Sequence, residues 1–94
     1  MSNKYWREND KGAWYLYFNP YDELGSEESI IFRMVEDSES DNWWNYSSEL
    51  LKVEEDCFYA ESLEEAKETA EDMIEEHYQD VICYYEELIR KWHE

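Results

Sequence analysis

The sequence predicts an α+β fold, in which a small antiparallel sheet of three to four strands packs against one long C-terminal amphipathic helix. Two patterns indicate it: apolar residues alternate with period two within residues 1–60, and an apolar stripe of helical period runs through residues 62–93. With 94 residues the chain has the length of one domain, so we expect 1–94 to form a single folded unit. Each element has to bury one apolar face, so the helix should lie across one face of the sheet.

The predicted helix begins with a capping box. Ser62 stands three residues before Glu65, so the serine hydroxyl can accept a backbone N–H of the first turn while the glutamate reaches back to the cap. No Gly or Pro follows Ser62, which favours an uninterrupted helix. The residues expected in its apolar stripe, packed on the sheet, are Leu63, Ala66, Ala70, Met73, Ile74, His77, Val81, Tyr84, Tyr85, Leu88 and Trp92.

Strand patterns fill the segment before the helix, and we expect at least three strands. Ala13–Phe18 and Ser29–Val35 carry apolar residues on both faces, and Tyr5–Arg7 is a candidate edge strand. Leu50–Val53 and Asp56–Ala60 form either one bent strand or two short ones, with an acidic turn or bulge between them. The turn-prone connections are Asn19–Glu28, with Pro20 and Gly25, and Asp37–Asn42.

The helix covers only one face of the predicted sheet, so the second face needs another cover. The candidates for this second face are Tyr15, Tyr17, Ile31 and Val35. Either the aromatic segment with Trp43, Trp44 and Tyr46 folds over it, or a partner does. Trp43 and Trp44 are the best candidates for an exposed binding hot spot, and Tyr15 and Tyr17 are further aromatic contact candidates.

The charge of the chain argues against several functions. Twenty-six acids against eight bases give a net charge of −18, which repels nucleic acid phosphates and anionic membrane surfaces. No apolar run approaches the roughly 18 residues of a membrane span, and two cysteines make no disulfide framework. We therefore expect a cytoplasmic protein without direct nucleic acid or membrane binding. Two Gly and one Pro leave no phosphate loop or nucleophile elbow, so we expect no enzymatic activity.

Neither a metal nor another cofactor is expected. Asp37, Glu39 and Asp41 match the first ligand positions of a calcium loop. However, Asn42 stands where the sharp turn needs Gly, and Ser48 stands where a bidentate Glu belongs. The soft ligands Cys57, His77, Cys83 and His93 lack zinc-site spacing. We expect Cys57 to be a small buried hydrophobe and Cys83 to be exposed.

The most informative charge pattern lies on the predicted helix. Nine carboxylates occur from Glu61 to Asp80, about one per 3.6 Å of helix axis, against about one per 3.4 Å along a B-DNA strand. Like charges four residues apart cost about 0.2–0.5 kcal/mol each, so the array indicates either a binding surface or a solvated helix face. Five of the nine repeat at every fourth position: Glu64, Glu68, Asp72, Glu76 and Asp80. Five further acids are expected to support binding of a partner by this row: Glu65, Glu75, Asp37, Glu39 and Asp41.

In size, charge, lack of catalytic motifs and acidic row, the chain resembles the small acidic inhibitors that phages and mobile elements encode against CRISPR nucleases and restriction enzymes. The resemblance implies stoichiometric binding to the basic nucleic-acid-binding surface of such a nuclease, by DNA mimicry, in the host cytoplasm. The alternative is a non-enzymatic interaction module or homodimer that uses an aromatic sheet face, with the charge serving solubility.

Overall fold

The computed structural model describes residues 4–18 and 30–94, which form five strands and one helix. The elements are β1 (Lys4–Glu8), β2 (Trp14–Phe18), β3 (Ile30–Glu36), β4 (Trp43–Ser48), β5 (Val53–Tyr59) and α1 (Leu63–Trp92). The strands form one antiparallel sheet in the order β1-β2-β3-β4-β5. The α+β class is confirmed, with five strands where three to four were expected. The predicted connection Asn19–Glu28 lies outside the described residues.

The unpredicted strand is β4. Its sequence places two tryptophans side by side and lacks a clean polar alternation, but it pairs with β3 on one side and β5 on the other. Trp44 pairs with Phe58, and Tyr46 pairs with Met34, so both aromatic rings face the core. The prediction that Trp44 and Tyr46 fold over the second sheet face is therefore wrong, because strand pairing places them on the helix side.

Two further expectations near β5 are resolved by the pairing. Leu50 and Lys52 lie in a turn, so Leu50–Val53 is not a strand, and β5 runs without a break from Val53. The pairing of β5 with β4 shifts by one residue between Tyr46 and Ser48 of β4. This shift agrees with the acidic bulge that was predicted in this segment. Cys57 is exposed, and the expectation that it is buried is wrong because its neighbour Phe58 takes the inward position.

The core lies between the sheet and the N-terminal part of α1. Phe32, Ala66 and Ala70 are completely buried. The remaining buried apolar residues are Leu16, Met34, Trp44, Phe58, Ala60 and Ile74. Ile31, expected on the second sheet face, packs against this core instead, because the β2–β3 register shifts beside it.

Contacts along α1 show how the helix crosses the sheet. The Lys67 ammonium lies 4.2 Å from the ring centroid of Trp14, at the start of β2. One turn later, Glu71 pairs with Lys4 at the start of β1, with 3.1 Å between Oε1 and Nζ. Tyr78 then packs against Phe18, at the end of β2. The helix therefore runs from the β5 terminus across to the opposite end of the sheet.

The last third of α1 extends beyond the sheet, which corrects the expectation of a fully packed stripe. Tyr85, Leu88 and Trp92 are 58%, 42% and 85% exposed, and Tyr84 is 59% exposed. A helix of 30 residues is about 45 Å long, whereas strands of five to seven residues span only about 17–24 Å. The sheet is thus too short to cover the whole helix.

Candidate acidic binding surface

The start of α1 is fixed by the predicted capping box. Ser62 has extended backbone angles, and its Oγ accepts the Glu65 N–H at 3.1 Å. Glu65 Oε2 in turn accepts the Glu61 N–H at 3.1 Å. Carboxylates in the first turn also suit the partial positive charge of a helix N-terminus. Glu65 is therefore held in place by the cap, which orients the helix that carries the other acids.

The acidic row consists of Glu64, Glu68, Asp72, Glu76 and Asp80, and all five residues are exposed. A step of four residues advances about 6 Å along the axis and turns by about 40°, so the row runs obliquely over about 24 Å of helix. Within the described residues, none of the five forms a salt bridge. The row is consequently a line of solvated carboxylates on the side of α1 away from the sheet, and Glu75 is exposed beside it.

The bases of α1 and its neighbours point away from this row. The Lys67 ammonium is over Trp14, and Lys4 is paired with Glu71, the one acid of the nine that is salt-bridged and half-buried. Arg90 and Lys91 both lie within 3.7 Å of Glu87 at the far end of the helix. The negative potential of the row is therefore not neutralised by the cations nearest to it.

The acidic loop 37–42 lies beside the start of α1. The Ala60 N–H, two residues before the helix cap, donates to the Asn42 carbonyl at 2.9 Å. Asp37 is half-buried and accepts the Glu39 N–H at 2.9 Å, so it shapes the loop, while Glu39 and Asp41 are exposed. The fold thus places the loop that carries the exposed acids Glu39 and Asp41 next to the residues that lead into α1.

The second surface is the outer sheet face, which carries Tyr5, Arg7, Tyr15, Tyr17, Arg33, Trp43, Tyr59 and, as predicted, Val35. The Tyr5 and Tyr17 rings stack with 4.9 Å between centroids, and the Arg7 guanidinium lies over both. Arg33 lies 5.4 Å from the Tyr15 ring centroid. Tyr15 and Tyr17 are half-buried, and Trp43 is 42% exposed.

Sequence reasoning identified part of this outer sheet face. Tyr15, Tyr17 and Trp43 lie there, but Trp44 does not: it is 6% exposed, and its indole N–H donates to the Ala60 carbonyl at 3.3 Å. Trp44 is therefore a core residue and not a contact candidate. Arg7 was missed, although the period-two alternation of β1 places it on the same face as Tyr5.

Comparisons with known proteins add no assignment. The chain matches no family model, and no curated protein or solved structure is significantly similar to it. In the ranges 4–18 and 30–94, no three His, Cys, Asp or Glu side chains are grouped to hold a metal ion. Over the same ranges, no helix combines the length and the apolar character that crossing a bilayer requires. A function is therefore inferred below from the two surfaces.

Proposed function

We propose that this protein is an acidic inhibitor that binds and blocks the basic nucleic-acid-binding surface of a defence nuclease, such as a CRISPR nuclease or a restriction enzyme, by DNA mimicry. The observation that carries the proposal is the acidic row, whose five carboxylates are exposed and form no salt bridge within the described structure. The net charge of −18 adds long-range attraction to a basic partner.

Rigidity supports the same proposal. The row lies on a single continuous helix that is capped at Ser62 and packed on the sheet through Ala66, Ala70 and Ile74. Carboxylates about 6 Å apart on such a helix are held in position before binding, so little conformational entropy is lost on contact. They would engage the Lys and Arg side chains that otherwise neutralise phosphates, and would release counterions as DNA does.

Charge reversal within the row tests this function. We expect the triple variant Glu68→Lys, Asp72→Lys, Glu76→Lys to lose inhibition of DNA cleavage by roughly tenfold or more, because each change replaces an attraction by a repulsion. The assay is cleavage of a plasmid by purified CRISPR nucleases and restriction enzymes of the natural host, with the protein added in increasing amounts.

A matched control separates the row from overall charge. The variant Glu49→Lys, Glu54→Lys, Glu55→Lys makes the same change in net charge at exposed residues of β5 and the turn before it. It should inhibit nearly as well as the natural sequence. Equal loss in both triple variants, or no loss in the row variant, would exclude α1 as the contact surface.

The alternative function is a non-enzymatic interaction module that uses the outer sheet face. It is favoured by the placement of Arg7 and Arg33, two of the three arginines, among exposed and half-buried tyrosines. Tyr, Trp and Arg are the residues that most often dominate interface energetics.

The salt dependence of binding distinguishes the two proposed functions. If the acidic row is the contact surface, affinity for the partner should fall steeply as ionic strength passes about 0.1 M, where the Debye length is about 10 Å. Binding through the outer sheet face should change little.

A further inference from the structure

The C-terminal part of α1, from the contact of Tyr78 with Phe18 onward, carries an apolar surface that the described residues leave largely uncovered. Trp92 is 85% exposed, Ile89 is 59% exposed and Ile82 is 49% exposed. With their neighbours on the same side of the helix they form the helix-tip stripe, which consists of Tyr78, Val81, Ile82, Tyr85, Leu88, Ile89 and Trp92. Exposed apolar surface of this extent on one side of a helix indicates an interface.

The spacing of this stripe is that of a helix–helix seam. Tyr78, Val81, Tyr85, Leu88 and Trp92 follow one another at steps of three, four, three and four residues, which is the heptad pattern of paired helices. Ile82 and Ile89 widen the seam on one side. From the first residue to the last the seam is about 21 Å long.

We propose that a second copy of this chain covers the helix-tip stripe, with the two α1 helices antiparallel about a two-fold axis near Tyr85. Charge selects this site for self-association. Residues 61–81 contain nine acids and one base, whereas residues 82–94 contain three acids and two bases. Two copies that each carry a net charge of −18 repel each other, and this repulsion is weakest where the helix tips meet.

The antiparallel direction follows from the charge and from the symmetry of the stripe. With the axis at Tyr85, Trp92 lies beside Tyr78 of the other copy, and Leu88 lies beside Ile82, so each contact occurs twice. The last turn of α1, which carries both bases of residues 82–94, Arg90 and Lys91, then lies at the same height along the axis as the acidic segment that ends at Asp80 in the other copy. A parallel pair would instead place like charges together and bring the two acidic rows side by side.

The available area is sufficient for a stable dimer. The exposed parts of the stripe side chains set an upper bound on the order of 700 Å² per copy, taking about 150–250 Å² for each whole aromatic side chain. A stable interface of standard size buries about 800 Å² per partner, and one above about 1,000 Å² in total is already specific. A second copy is thus a partner of adequate size.

Mass measurement of the full chain tests the dimer. Sedimentation equilibrium at micromolar concentration should give twice the 11.6 kDa of one chain. The Leu88→Glu variant should be monomeric and keep its helical circular dichroism, because Leu88 lies in the part of α1 beyond the sheet and is 42% exposed in the monomer. The matched Cys83→Glu variant adds the same charge on the opposite side of the helix and should remain dimeric. A monomeric natural chain, or a dimeric Leu88→Glu variant, would overturn the proposal.

Cysteine cross-linking tests the direction in a chain carrying Cys57→Ser and Cys83→Ser. In an antiparallel pair, Ile82→Cys and Leu88→Cys chains should form a disulfide when mixed, but neither should do so alone, because each like pair is offset by about 9 Å along the axis. Cross-linking of each variant with itself would show a parallel pair and refute the antiparallel one.

The dimer does not depend on the proposed inhibitor function. Salt screens the repulsion between two acidic copies, so raising ionic strength should tighten the dimer. The same change should weaken binding of the acidic row to a basic partner. A failure of nuclease inhibition therefore leaves the sedimentation result unaffected, and the two proposals are judged separately.

Discussion

Tyr46 of β4 lies between the apolar core and the acidic strand β5. Its ring stacks on Phe32 with 5.2 Å between centroids and tilts against Phe58 at 5.6 Å. Burial raises the pKa of the Tyr46 phenol above its ordinary value of 10.0, and the charge of Asp56, the hydrogen bond to its carboxylate and the charge of Cys57 raise it further. The neutral phenol is therefore the form that the folded state favours.

The raised pKa predicts a loss of stability at alkaline pH. Below pH 10 the Tyr46 phenol is neutral in both the folded and the unfolded state. Above pH 10 the unfolded chain releases the phenol proton first, so the stability that the neutral phenol contributes is lost as pH rises through the pKa of the folded state. We expect the free energy of unfolding to fall less steeply above pH 10 in the Tyr46→Phe variant than in the natural chain, as measured by urea denaturation at several pH values. The Tyr84→Phe variant, changed at an exposed tyrosine, should match the natural chain; equal slopes in all three would contradict the prediction.

At the scale of elements, the contact between α1 and the sheet depends on small helix residues. Ala66 and Ala70 are completely buried and one helical turn apart, and Ile74 continues the same line at 7% exposure. Side chains this short let the helix axis approach a sheet face that carries large residues such as Trp44 and Phe32. The close approach positions the opposite side of α1, with its acidic row, toward solvent.

Enlarging one of these alanines should therefore destabilise the fold. The Ala70→Leu variant adds carbon atoms where the natural side chain has no exposed surface, and we expect the free energy of unfolding to fall by about 1–3 kcal/mol. Urea denaturation measures it. The Gln79→Leu variant, at an exposed position of the same helix, serves as the control and should change stability by less than about 0.5 kcal/mol. A stable Ala70→Leu variant would mean that the helix lies farther from the sheet.

At the scale of the whole molecule, the protein is elongated and strongly negatively charged. The described residues extend over 54 × 31 × 24 Å, and the long dimension includes the part of α1 beyond the sheet. In the part of the chain that the structure describes, salt bridges involve two acids, Glu71 and Glu87, and three of the bases lie over aromatic rings. Mutual repulsion of the acids opposes compaction.

This repulsion predicts that salt stabilises the monomer. In the Leu88→Glu background, which removes the proposed dimer contact, raising sodium chloride from about 0.01 M to about 0.3 M should increase Tm by about 4–8 °C, or roughly 1 kcal/mol. The Glu68→Lys, Asp72→Lys, Glu76→Lys changes lower the net negative charge by six and should reduce that increase. Thermal melts followed by circular dichroism measure both, and a Tm independent of salt would contradict the prediction.

The elements that were predicted correctly are those whose sequence patterns depend only on residues close together along the chain. The Ser62–Glu65 capping box is formed as predicted, and β1, β2 and β3 lie where alternation indicated them. β4 was missed because its two adjacent tryptophans and its polar end obscure the short alternation of Trp44 and Tyr46 with Asn45; pairing on both sides determines its conformation. Of the candidate contact residues, Trp44 was misplaced for the same reason.

The sequence by itself determined the α+β class, the start and continuity of α1, and the exposure of the acidic row, because helix period and capping depend on residues within one or two turns. Only the tertiary structure decided which parts of these elements are covered. The sheet is shorter than the helix, so the same apolar stripe is core near Ala66 and surface near Trp92. The placement of the acidic loop beside Ser62 also depends on strand order, since contacts between residues distant along the chain leave no trace in local periodicity.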